Sequence, residues 1–137
     1  MRERLEASRP ARDLKRGPGG LADIEFLLQR FLLAHGGPLP ALRTTNTRQA
    51  LTALHDAALL TGEQYADLMA GYDFLLRVQN RLRIVHNRTL DAVPESAAEV
   101  EKLARRLGFD GGEKFLVELD GHRRRIRGLY RELMGRG

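Results

Sequence analysis

The chain has 137 residues, 42% of them hydrophobic, which suits one domain with a real core and argues against disorder. It contains no cysteine, so disulfides, thiolate metal sites and a cysteine nucleophile are all excluded. Its net charge of +5, supplied almost entirely by arginine, fits an anionic ligand, nucleic acid, an acidic protein or simply a solvated surface.

Met1 to Arg16 is rich in Arg and Glu, is interrupted by Pro10, and reads as a basic arm, or as the ragged edge of a longer chain, ahead of a single domain at 17–137. It carries no apolar stretch of the signal-peptide kind, and no run in the chain is long enough to span a bilayer. Gly17-Pro18-Gly19-Gly20 breaks regular structure. From Leu21 the spacing turns helical: Leu21, Ile24, Leu28 and Phe31 recur at three- and four-residue steps, widened by Leu27 and Leu32. Gly36-Gly37-Pro38 closes this helix near His35.

Thr44 to Thr47, including Asn46, offer caps for a second helix that buries Ala50, Leu51, Leu54 and Ala58. Thr61 with Gln64 forms a capping box for a long third helix reaching about Val85. Along it Tyr65, Leu68, Tyr72, Leu75 and Leu82 follow heptad spacing, with Gln79 as a structural amide in the seam. Asn87 to Glu95 is a loop, after which Ser96 and Glu99 start a short helix that stops at Gly108. The last helix follows Gly111-Gly112 and turns Phe115, Leu119, Ile126, Tyr130 and Leu133 inward. Two-residue alternation is absent, so the expected fold is all-α: about five helices, antiparallel or nearly so, in a bundle.

Familiar hydrolase and metal patterns are missing. Ser8 and Ser96 lie outside any nucleophile elbow, and His35, His55, His86 and His122 read as surface or cap residues. Asp23 and Glu25, two residues apart on a helix, point to nearly opposite sides and cannot jointly hold a metal. No catalytic residue and no metal ligand set is therefore assigned to this chain. Lys15-Arg16-Gly17-Pro18-Gly19-Gly20, feeding a helix N-terminus, is the strongest local candidate for meeting phosphate: cationic side chains, permissive glycines and first-turn N–H groups. A plain hinge is the competing reading. Arg123, Arg127 and Arg131 stack at four-residue steps on the last helix, a face for an acidic partner or for solvent. Interleaved aromatics for base stacking are absent there, which weighs against nucleic acid.

The stretch LKRGPGGLADIEFLLQ, Leu14 to Gln29, resembles the motif that opens the helical domain of glutamine synthetase adenylyltransferases. The resemblance rests on Lys15, Gly19, Gly20, Leu21, Asp23, Ile24, Glu25 and Phe26, and continues more loosely through Asn46, Phe74 to Leu82 and Asp91 to Pro94. It implies a cytoplasmic, bifunctional enzyme that uses ATP and Mg²⁺ to attach AMP to a tyrosine of glutamine synthetase and removes it by phosphorolysis, under PII control. It further implies that the catalytic nucleotidyltransferase domain, with its G-S and D-x-D motifs, lies outside this chain, which would be inactive alone. Lys15 and Arg16 would then face phosphate, Gly17, Gly19 and Gly20 would shape the turn, and Asp23 and Glu25 would support it. Ala22, where deadenylylating halves tend to carry Arg, is more like the adenylylating half. Two other readings stand beside it: the helical region of a PII uridylyltransferase, and a non-enzymatic basic adaptor for nucleic acid or an acidic protein.

Overall fold

The computed structural model describes residues 13–15, 17–35, 46–86, 93–94 and 96–135. Among these the fold is an all-α bundle of five helices: α1 (Leu21–His35), α2 (Thr47–Asp56), α3 (Gly62–His86), α4 (Ala97–Arg106) and α5 (Gly112–Gly135). No described helix is long and apolar enough to cross a membrane. The loop at 87–92 and the glycines closing α1 lie outside the described residues.

The helix starts follow from their caps. The Asn46 side chain accepts from the Gln49 N–H at 3.0 Å. Thr61 and Gln64 exchange reciprocal bonds, Gln64 N–H to Thr61 Oγ1 at 3.0 Å and Thr61 N–H to Gln64 Oε1 at 2.9 Å. Ser96 Oγ accepts from Glu99 N–H at 3.4 Å, a longer and weaker cap. Each such cap is worth about 1 kcal/mol. The second helix is shorter than its spacing suggests. It ends at Asp56 with Ala57 as cap, and Ala58 is exposed with φ 62° instead of extending the buried face.

The helices pack around α5, which meets α3, α4 and α1. Gly71 of α3 lies directly against Ile126 of α5, and a Cβ at that glycine would come within 2.6 Å of Ile126 Cδ1. Glycine in a helix interior costs about 1 kcal/mol relative to Ala, offset here by close packing of two long helices. Arg77, further along α3, reaches Leu107 ahead of α5, so α3 and α5 run antiparallel. Gly19 and Asp23 meet Arg123 and Arg127 in that order, so α1 lies parallel to α5.

Leu14, Leu21, Ile24, Leu27, Leu51, Leu54, Leu68, Leu75, Leu82, Phe115 and Ile126 belong to one continuous core. Leu14, assigned to the arm by composition, is fully buried, and Asp13 to Lys15 pack with the bundle. Leu28, Phe31 and Tyr130 pack at the core's edge, whereas Leu32 of α1 is 37% exposed.

Glu101 ties α4 to α5. Its carboxylate accepts from Gly112 N–H at 2.7 Å and from Arg105 Nε at 2.9 Å. The Gly112 N–H holds the carboxyl below its ordinary range, desolvation opposes this, and Arg105 assists. A carboxyl depressed in the folded state contributes stability above its unfolded value, and that contribution fades as pH falls through the folded value. Urea denaturation of Glu101→Gln should therefore give a lower midpoint than the parent at neutral pH, with the gap narrowing on acidification. A gap that does not change with pH would contradict this.

Candidate functional site

The Asp13–Gly20 loop folds back on the start of α1 through its own backbone. Gly17 N–H donates to Asp13 O at 3.0 Å and Gly20 N–H to Gly17 O at 2.9 Å. Leu21 N–H donates to Leu14 O at 2.9 Å, Ala22 N–H to Lys15 O at 2.7 Å, and Asp23 N–H to Gly20 O at 3.2 Å. The free first-turn N–H groups that would receive a phosphate are thus satisfied inside the loop. Any contribution of this turn to an anion has to come from side chains.

Two glycines are explained by this geometry. Gly19 adopts φ +71°, and a Cβ there would overlap the Arg123 backbone carbonyl. Gly20 has no room either, with Leu14 O 2.6 Å from the position of a Cβ. Their close backbone approach is therefore to the protein's own α5 and loop. Gly17, Gly19 and Gly20 are buried, Lys15 is exposed, and Arg16 lies outside the described residues.

Three charged side chains lock the turn. Asp23, 7% exposed, accepts from Gly19 N–H at 2.7 Å and from Arg127 Nη1 at 3.1 Å. Arg123, also 7% exposed, donates through Nε to Pro18 O at 3.0 Å and through Nη2 to Asp13 O at 2.8 Å. Burial lowers the Arg123 pKa, and the charges of Asp13, Asp23 and Asp120 oppose that shift. Arg123 Nη1 and Arg127 Nε are buried with no hydrogen-bond partner among the described residues. Arg127 also stacks its guanidinium over Tyr130, 4.8 Å from the ring centroid.

The structure thus places the three stacked arginines apart. Arg123 is interior, Arg127 is half-buried on Asp23, and Arg131 is exposed. Glu25 is exposed, away from Asp23. His122, read as a surface or cap residue, is instead buried: it stacks on Phe74 at 4.7 Å, and its Nε2 meets Glu118 Oε2 at 3.1 Å. The spacing held that signal, because Phe115, Leu119, His122 and Ile126 form one four-three-four stripe. Among the described residues no group of three or more His, Asp or Glu could hold a metal ion. Gly19 N–H and Arg127 Nη1 both meet Asp23 at Oδ2, which commits that oxygen to the turn.

A family model described as GlnD PII-uridylyltransferase matches residues 1–134. The chain belongs to this family. Its relatives include proteins named bifunctional glutamine synthetase adenylyltransferase/adenylyl-removing enzyme. One from Xanthomonas campestris pv. campestris (strain B100) is 37% identical over 131 residues, covering 94% of this chain and 14% of the relative. One from Neisseria meningitidis serogroup A is 31% identical over 124 residues, covering 90% of this chain and 14% of the relative. A third, from Streptomyces coelicolor, is 36% identical over 133 residues, covering 93% and 13% respectively. The names of these relatives agree with the resemblance carried by Leu14 to Gln29. This GlnD-family chain spans only about one seventh of their length.

Proposed function

We propose that this chain is the helical module of a bifunctional glutamine synthetase adenylyltransferase/adenylyl-removing enzyme. The observation that carries the reading is the match to proteins of that name along nearly the whole chain. In it, the bundle braces a nucleotidyltransferase domain that transfers AMP from ATP to a tyrosine of glutamine synthetase in nitrogen regulation. ATP and Mg²⁺ belong to that domain, the enzyme is cytoplasmic, and PII protein is its regulatory partner.

The locked turn supports a wall role. Asp23, Arg123 and Arg127 hold the loop rigidly on α5, which fixes where exposed Lys15 projects. Lys15 and Arg16 face nucleotide phosphate in this reading, Gly17, Gly19 and Gly20 shape the turn, and Asp23 and Glu25 support it. Arg131 remains as the outward cation on α5 for an acidic partner.

A polypeptide joining this chain to the nucleotidyltransferase domain of a curated relative should transfer AMP from ATP to glutamine synthetase. Replacing Lys15 and Arg16 together with Ala should lower its kcat/KM about tenfold, the loss of roughly one charge-assisted contact. Full activity in that variant would remove the phosphate-facing role. The family description is compatible with a second reading, the helical region of a PII uridylyltransferase. Uridylyl transfer to PII by the joined polypeptide, without AMP transfer, would establish it.

A further inference from the structure

A second cationic feature lies away from the glycine turn. The turn packs against the middle of α5, whereas this feature sits where the C-terminal half of α3 meets the end of α4. A pocket of about 220 Å³ there is lined by Arg77, Asn80, Arg81, Arg106 and Leu107. Among the described residues its lining includes three guanidinium groups, one amide and no carboxylate.

The three arginines are not equivalent. Arg77 donates through Nη2 to the Leu107 carbonyl, a cap on the end of α4. That full charge answers the partial negative charge of the helix C-terminus, which would otherwise repel an anion. Arg81 and Arg106 show no ion pair or hydrogen bond among the described residues. Several other surface arginines have acidic partners: Arg48 is paired with Asp73, Arg105 with Glu101 and Arg124 with Asp120. Like charges converging on one concavity without an acidic neighbour are repulsive until an anion joins them. Guanidinium forks and an amide N–H₂ supply the donors that match tetrahedral phosphate oxygens, and the small volume suits one such group.

From this geometry we infer that the Arg77–Asn80–Arg81–Arg106 pocket binds a phosphoryl group, from free phosphate or from a nucleotide. The test titrates inorganic phosphate and, separately, ADP into the isotopically labelled 137-residue chain, with sodium chloride at matched ionic strength as reference. Backbone amide signals of Asn80, Arg81 and Arg106 should shift saturably with one or both ligands and not with chloride. Arg81→Gln combined with Arg106→Gln should weaken that binding at least tenfold, and Arg106→Gln alone should weaken it measurably with helicity unchanged by circular dichroism. Arg124→Gln should leave it unaltered. Response to phosphate identifies free phosphate as sufficient; response to ADP alone identifies a nucleotide. Neither ligand shifting these amides, affinity surviving in Arg106→Gln, or a response to polyglutamate in place of both would overturn the inference.

Discussion

Gly19→Ala is expected to destabilise the bundle by about 3 kcal/mol or more, measured by urea denaturation. Two effects add at this position. The backbone stands at φ +71°, where an L-residue costs about 1–2 kcal/mol. The new methyl would also overlap the Arg123 carbonyl, carbon and Cα, which are main-chain atoms of α5 and cannot rotate aside. Moving α5 to make room would pull Ile126 off Gly71 and disturb the α3–α5 contact. Gly20→Ala meets only loop carbonyls at a negative φ, so its cost should be smaller. A Gly19→Ala loss below about 1 kcal/mol would mean that the turn is not held against α5 as described.

The helices were legible in the sequence because spacing and caps agreed at several places. Asn46, Thr61 with Gln64, and Ser96 each mark a start, and Leu21, Ile24 and Leu27 or Phe115, Leu119 and Ile126 mark the buried side. Ala58 misled because alanine fits a helix stripe and a turn equally well, and the chain had already left the helix at Ala57. Phe26 and Leu33 show the converse: apolar side chains on α1 that are 50% and 88% exposed, which the bundle alone does not cover. The site was harder to read. His122 and Arg123 sit in a basic run, and charge class suggested a solvated face although His122 continued the apolar stripe. Arg123 is buried because the loop ahead of α1 brings backbone carbonyls to it from more than a hundred residues away. No local spacing encodes that pairing. The docking of α1 on α5 rests on long-range pairing of the same kind, Gly19 and Asp23 at Arg123 and Arg127.

Arg123→Leu should cost about 3 kcal/mol in urea denaturation, close to Gly19→Ala although it creates no overlap. The leucine would leave the Pro18 carbonyl without its Arg123 donor and the Asp13 carbonyl with Gly17 N–H alone, in a part-buried region. It would also remove the positive charge that faces Asp13, Asp23 and Asp120. Arg123→Lys separates these contributions, because it retains charge but lacks the planar fork that reaches two carbonyls at once. If carbonyl bridging dominates, Lys should recover less than half of the loss; if charge balance dominates, it should recover most of it. Combining Arg123→Leu with Asp23→Asn in a double-mutant cycle should show coupling of about 1 kcal/mol, since both residues hold the same loop. Strict additivity would mean that Asp23 with Gly19, and Arg123 with Pro18, fasten the loop independently. Coupling instead makes the turn one unit, so that loosening either charge on α1 or α5 moves Lys15 with it, and the wall proposed for the nucleotide cleft with Lys15.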